Sequence, residues 1–284
     1  MQGQIVKLLG GFYTVVCAGD AFETRARGNF RHTGEKPLVG DFVTFDAGYI
    51  LEILPRKNKL VRPPLANIDQ MVLVMSTVTP NFSRNLLDRF LAYLENKKIP
   101  ALIVLTKLDI NARGMANVKR DYAGIGYPVL TTADEVAAYL PDKLTAFMGQ
   151  TGAGKSTLLN KIAPELQLAT GETSEKLGRG RHTTRHVELF EVAGGLVVDT
   201  PGFSSLDYEI TTASALNAAF IDIAALSGKC KFRGCTHTHE PACAVKEAVF
   251  SGELLRSRYD SYCQLLSEIQ NTREIYEKNA KKQP

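Results

Sequence analysis

Residues 149–156 read GQTGAGKS, the pattern G-x-x-x-x-G-K-[ST], set between an apolar run, LTAFM, and an amphipathic one, STLLNKI. Glycines at these positions let backbone N–H groups turn inward around phosphate oxygens, and the start of a helix adds the positive end of its dipole. The spacing therefore predicts a nucleoside-phosphate loop in which Lys155 reaches the outer phosphates and Ser156 ligates Mg²⁺. Gly149, Gln150, Thr151, Gly152, Ala153, Gly154 and Thr157 complete the expected binding loop. A loop of this kind is carried by a strand and a helix of a layered α/β domain.

About half the chain precedes this loop, and what precedes it says which base is bound. The apolar run ALIVLT ends in TKLD, Thr106, Lys107, Leu108 and Asp109. A carboxylate at the end of such a strand accepts both the ring N–H and the exocyclic amine of guanine, a pair adenine does not offer. Asp109 is the expected guanine reader, with the Lys107 stem along the base. Thr106 stands where Asn is commoner, its hydroxyl replacing part of the amide's bonding.

Two further segments complete a triphosphate site. In VVDTPGF a strand delivers Asp199 to the outer shell of the metal, and Gly202 offers a backbone N–H to the γ-phosphate. The Gly-rich segment GRGRHTTRH holds Thr183 and Thr184, one of which would bind Mg²⁺ only while the γ-phosphate is present; Thr183 is the expected ligand. Such loops order with triphosphate and relax after hydrolysis. Phe203 follows Gly202 where many GTPases place a water-orienting Gln, so slow intrinsic turnover is expected. His182 is the candidate to orient water, the alternative being a loop histidine that meets RNA or nothing. Arg179, Arg181 and Arg185 are candidates for RNA phosphate or the transition state.

The order is the unusual part. The guanine motif ordinarily comes last and the phosphate loop first; here TKLD precedes GQTGAGKS by some forty residues. A circularly permuted domain is expected, which compact folds tolerate because their chain ends commonly lie close together.

The flanks differ in texture. Residues 1–62 hold short apolar runs, FYTVV, DFVTF and YILEIL, between Gly-bearing turns, the rhythm of a small antiparallel barrel. Arg62 to Leu65 reads as a linker. MVLVMS and ALIVLT are continuous apolar runs suited to buried parallel strands, separated by the amphipathic LLDRFLAYLENK. Further strands are expected at YPVLTT, HVELFEV and GLVVDT. Near the end, Leu255, Tyr259, Tyr262, Leu266 and Ile269 give one apolar helical stripe. Between lie Cys230, Cys235, His237 and Cys243, three thiolates and an imidazole that suit one structural Zn²⁺ because four protein ligands leave no open position. Cys17 and Cys263 read as packing residues.

Lys and Arg outnumber Asp and Glu in residues 1–62 and 223–284 but not between, which suits a polyanion met by the flanks. Lys229, Lys231 and Arg233 surround the Cys/His cluster. In the barrel Arg25, Arg27, Arg31, His32 and Lys36 stand near Phe22 and Phe30, a mixture that serves nucleic acid or, for the aromatics, the barrel core. No window is apolar enough to span a membrane and no leader is evident, so a cytoplasmic protein is expected.

The succession TKLD, GQTGAGKS, RHTTR, DTPG, then C-x₄-C-x-H-x₅-C resembles the RsgA family, also called YjeQ or YloQ, over essentially the whole chain. Thr151, Ala153 and Thr106 depart from its usual residues. The resemblance implies an OB-type barrel at 1–63, a permuted P-loop GTPase domain at 64–220 and a mainly helical zinc domain at 221–284. It implies GTP hydrolysis to GDP with Mg²⁺, stimulated by the small ribosomal subunit late in its maturation. It also implies contact with rRNA and, by its spacing, ranks His239, a fifth possible zinc ligand, behind the other four. A monomer is expected. The alternative is an RNA-binding assembly scaffold whose nucleotide site does not hydrolyse; an ATP-using P-loop protein conflicts with TKLD.

Overall fold

The computed structural model describes the chain apart from residues 29, 31–33, 169–186, 199–209 and 281–284, and apart from the side chains of 113 and 273–280. Two compact units emerge. One comprises Met1–Pro80, Leu102–Asn111 and Val129–Ser205, the other Asn81–Ala101, Ala112–Pro128 and Leu206–Pro284.

The first unit begins with β1 (Gln2–Leu9), β2 (Phe12–Cys17), β3 (Asp20–Ala26), β4 (Phe42–Asp46) and β5 (Tyr49–Ile53). They pair in the order β1-β2-β3-β5-β4 and close through β1–β4. β3 and β5 run parallel and the other pairs antiparallel, as an OB-like barrel requires. Alternation along the strands puts Ile5, Tyr13, Val15, Val43, Phe45 and Ile50 inside. Phe30 is buried and the Phe22 ring packs 5.3 Å from that of Phe45, so both aromatics serve barrel packing. A fully buried carboxylate, Asp41, takes a two-pronged contact from Arg56 at 2.6 Å on each oxygen, and the Leu38 N–H at 2.7 Å. The expected linker forms part of a small ribbon, β6 (Lys59–Leu60) with β7 (Leu65–Ala66).

The chain then alternates β8 (Gln70–Ser76), α1 (Arg84–Asn96), β9 (Ala101–Thr106), α2 (Leu108–Ile125), β10 (Val129–Leu130), α3 (Ala133–Ala137), β11 (Leu144–Met148) and α4 (Lys155–Ile162). The hairpin β12 (Val187–Val192) and β13 (Gly195–Val198) follows. Strand order is β10-β9-β8-β11-β13-β12, with β11 parallel to both β8 and β13. Every residue of β8 is buried, as an uninterrupted apolar run demands of a central parallel strand. A core of Val72, Val74, Val104, Phe147, Leu158, Leu159 and Val197 joins the sheet to α3 and α4. Each such side chain contributes roughly 1.5–3 kcal/mol by leaving water. YPVLTT yields only the two-residue β10 because Thr132 ends it by capping α3: its hydroxyl accepts from Glu135 N at 3.2 Å while the Glu135 carboxylate returns to Thr132 N at 3.1 Å. β12 also pairs with β1 at Lys7↔Glu188 and Leu8↔Val187, so barrel and parallel sheet form one eleven-stranded sheet.

The second unit is helical: α1, the later part of α2, α5 (Ala213–Ala219), α6 (Ile221–Ser227), α7 (Ala244–Ser251) and α8 (Arg256–Ala280). α2 is broken at Asn111 (φ −143°, ψ 53°), and its two parts belong to different units. Ser83 starts α1 and Thr212 starts α5, each hydroxyl accepting an N–H three residues on. Of the expected stripe, Tyr262, Leu266 and Ile269 are buried with Leu265, while Leu255 precedes α8. They pack with Leu216, Phe220, Ile223 and Val245. No helix among the described residues is long and apolar enough to cross a membrane.

Candidate functional site

The phosphate loop occupies the turn from β11 to α4, and TKLD closes β9 and opens α2. Both lie at the carboxyl ends of their strands, where open α/β sheets form their ligand crevice. Gly149 has no alternative: a Cβ there would stand 2.2 Å from the carbonyl oxygen of Val74 on β8. Gly154 takes φ +99° as the residue before α4, a conformation side chains resist.

Reversed order in the chain does not separate the two motifs. Thr106 Oγ1 donates to the carbonyl of Ala153 at 2.6 Å, and Lys107 Nζ donates to that of Gly152 at 2.9 Å. Lys107, at φ +58°, also donates to the carbonyl of Thr79. The end of β9 is thus hydrogen-bonded onto the turn between β11 and α4, and the Thr106 hydroxyl makes one of the two bonds. Asp109 stands exposed in the first turn of α2.

Lys155 Nζ donates back to the carbonyls of Gly149 at 2.7 Å and Gln150 at 3.3 Å, which places its charge across the mouth of the loop. Ser156 and Thr157 follow in the first turn of α4. Residues of the site thereby brought together are Thr106, Lys107, Gly149, Gln150, Gly152, Ala153, Gly154 and Lys155. His182, Thr183, Thr184, Asp199 and Gly202 lie outside the described residues, as do Arg179, Arg181, Arg185 and Phe203.

The Cys/His cluster is assembled within the helical unit. Cys230 Sγ lies 3.8 Å from Cys243 Sγ and 3.6 Å from His237 Nδ1, and His237 Nδ1 lies 3.4 Å from Cys243 Sγ. With Cys235, all four ligand atoms fall within 4.8 Å of one another. A tetrahedron with bonds of about 2.3 Å to sulfur and about 2.0 Å to nitrogen sets sulfurs about 3.8 Å apart and nitrogen about 3.5 Å from sulfur. The observed spacings are compatible with Zn²⁺ on that measure. Burial pushes the Cys235 thiol up to about 12, and burial holds the His237 imidazole below its usual range and therefore neutral, the form in which its ring nitrogen can act as a ligand.

Sequence reasoning missed the partners that shape this cluster. The Asn217 amide lies 2.9 Å from His237 Nε2, leaving Nδ1 facing the sulfurs. Glu240 accepts from Thr236 N and Oγ1, both at 2.7 Å, and from Thr238 N at 3.1 Å. Desolvation alone would raise its pKa, but those hydrogen bonds pull it down to about 2. His237 is held at φ +63°, and its carbonyl accepts from Tyr259 Oη at 2.7 Å. A glutamate three residues from both His237 and Cys243 was the available signal.

Comparison with known proteins agrees with this geometry. Residues 53–209 match the family model RsgA GTPase and residues 2–49 match RsgA N-terminal domain. Relatives named small ribosomal subunit biogenesis GTPase RsgA include one from Lactococcus lactis, 59% identical over 99% of both chains. Another, from Streptococcus pyogenes, is 56% identical over 99% of this chain and all of that one. Among solved structures, YloQ, described as a circularly permuted GTPase, shares 41% identity at TM-score 0.81 over 95% of each chain. YjeQ from Thermotoga maritima shares 32% at TM-score 0.82, over 95% of this chain and 98% of that one.

Proposed function

The chain belongs to the RsgA GTPase family, and from that premise we propose that it is a cytoplasmic, monomeric GTPase acting on the small ribosomal subunit late in maturation. The observation that supports the reading is the Thr106 bond to Ala153, which ties the end of β9 that carries TKLD to the turn that carries GQTGAGKS.

Asp109 accepts the ring N–H and exocyclic amine of guanine, with the Lys107 stem along the base and Leu108 in the backbone between them. Backbone N–H groups from Gly149 to Thr157 surround the phosphates, and Lys155 exchanges its two carbonyl contacts for phosphate oxygens. Ser156 and Thr183 would hold Mg²⁺, with Asp199 in support, and the ion would supply positive charge to the outer phosphates. Gly202 donates its N–H to the γ-phosphate, and Thr183 and Thr184 report the presence of that group. His182 orients the attacking water once its loop is fixed by the ribosomal partner. Cys230, Cys235, His237 and Cys243 hold one structural Zn²⁺. The barrel, residues 1–63, and the zinc domain, residues 221–284, flank the GTPase domain at 64–220 and contact rRNA.

The test is the rate of GTP hydrolysis against the concentration of purified small subunits, for the protein and for His182→Ala. The expected result is a rate that rises and saturates with subunits, and a stimulated rate about 100-fold lower in the variant, within the range for a positioned proton-transfer or water-orienting group. No turnover in either condition supports the scaffold reading instead. Undiminished stimulation in His182→Ala removes that residue from the mechanism.

A further inference from the structure

Between Cys230 and Cys235 the chain makes a short exposed turn, Lys231-Phe232-Arg233-Gly234. Its two ends are residues of the Cys/His cluster, so the turn is fixed at both sides by the same centre. Phe232 is 44% exposed despite being a large apolar residue, and Lys231 Nζ lies 5.8 Å from its ring centroid. Lys229, Lys231 and Arg233 are exposed and form no ion pair among the described residues. Beside the turn opens a cleft of about 630 Å³ whose walls include Ser214, Asn217 and Thr236. Among the described residues no acidic side chain lines it.

We propose that this turn binds a single unpaired nucleotide of RNA, the base stacked on Phe232 and the adjoining phosphates met by Lys229, Lys231 and Arg233. The proposal deepens, and rests on, the reading of rRNA as partner. Charge complementarity selects the occupant: three cations in residues 229–233, none in an ion pair among the described residues, flank one exposed aromatic in the chain and match the phosphate-base-phosphate alternation of a single strand. A lone aromatic gives too small an apolar area for a membrane or a protein hot spot, whereas one ring suffices for one base. Hydroxyl and amide groups in the cleft can bond a base edge, and Asn217, whose amide lies 2.9 Å from His237 Nε2, lines it beside the cluster. Because the turn is pinned at both ends, the ring is held in place before the RNA arrives, which lowers the ordering cost of binding.

The experiment uses the full-length, zinc-loaded protein and fluorescence anisotropy of a labelled single-stranded oligoribonucleotide of mixed sequence, with the fully paired duplex as the second probe. Phe232→Ala is expected to weaken single-strand binding about 5- to 100-fold, the range for loss of one stacked base, without changing the salt dependence. Phe232→Trp is expected to restore it. Lys231→Ala and Arg233→Ala should each flatten the plot of log affinity against log salt by about 0.7. On duplex, whose bases are already stacked, Phe232→Ala should change affinity less than twofold. Bound zinc, measured in each variant, separates these effects from loss of the turn itself. Single-strand binding within twofold of the parent in Phe232→Ala, or an equal loss on duplex, overturns the proposal. Small-subunit stimulation of GTP hydrolysis, followed in parallel, keeps the functional reading separate: it falls only if the parent protein is not stimulated.

Discussion

Arg258 on α8 is a buried charge whose removal has a calculable cost. Its side chain is 1% exposed, and that of its partner Asp88 on α1 is fully buried. Arg258 Nη1 donates to Asp88 Oδ1 at 2.8 Å, while Nε and Nη2 reach Asp222 on α6 at 3.1 and 2.9 Å. The guanidinium carbon lies 4.5 Å from the Phe220 ring centroid. Tyr122 on α2 donates to the same Asp88 oxygen at 2.6 Å, kept protonated by burial first and by the Asp88 charge second. Arg258→Met keeps much of the stem's packing but strands the Asp88 carboxylate. Its other oxygen has no partner among the described residues, so Tyr122 alone would remain from these contacts. Removing one side of a buried pair costs about 3–5 kcal/mol because the remaining charge stays desolvated. Asp222, 13% exposed, regains some water, which favours the lower end. For a unit of this size about 3 kcal/mol corresponds to a fall of roughly 10–15 °C in the unfolding midpoint. Scanning calorimetry reads that shift. The decisive comparison is Arg258→Met with Asp88→Asn added, which removes the stranded charge and should recover a large part of the loss. A single-variant shift below about 3 °C, or a double variant less stable than the single, refutes the argument.

Two other predictions concern the nucleotide loop and the metal. Thr106→Val deletes the donor to Ala153 and should weaken binding of a fluorescent GDP about 5-fold, the worth of one hydrogen bond, whereas Thr106→Asn should stay near the parent. Elemental analysis should find one zinc per chain, and Cys235→Ala should abolish it and lower the midpoint of the helical unit by more than about 5 °C, since metal binding is folding free energy in such sites. Equal melting with and without a strong chelator would argue against a structural ion.

The nucleotide and Cys/His motifs were legible because each has to hold several specific groups at fixed spacing, and their reversed order announced the permutation. The barrel was legible from its short alternating runs. The join between barrel and sheet was not, because two paired residues of β1 and β12, with Lys7 on Glu188 at 2.9 Å, leave no periodic trace. Arg258 was hidden for the opposite reason: a charge within an amphipathic helix reads as surface, and its partners Asp88 and Asp222 lie 170 and 36 residues away. Phe22 and Phe30 read as core ahead of a stacking surface, and packing against Phe45 and burial in the barrel agree with the core. Asn217 carries no pattern at all, since its role exists only once His237 is placed beside it.

On the proposed function, Asp109 and Lys155, far apart and in reversed order, serve one guanine nucleotide. Competition of GDP, ADP and xanthosine diphosphate against a fluorescent GDP, on the parent protein and Asp109→Asn, tests it most directly. The parent should accept GDP and reject ADP. Asp109→Asn should lose at least about 30-fold in GDP affinity, as expected for charge-assisted hydrogen bonds of about 1.5–3 kcal/mol each, and gain affinity for the xanthine nucleotide, whose 2-oxo group accepts from the new amide. An Asp109→Asn protein that still prefers GDP to ADP by the parent's margin would contradict the account.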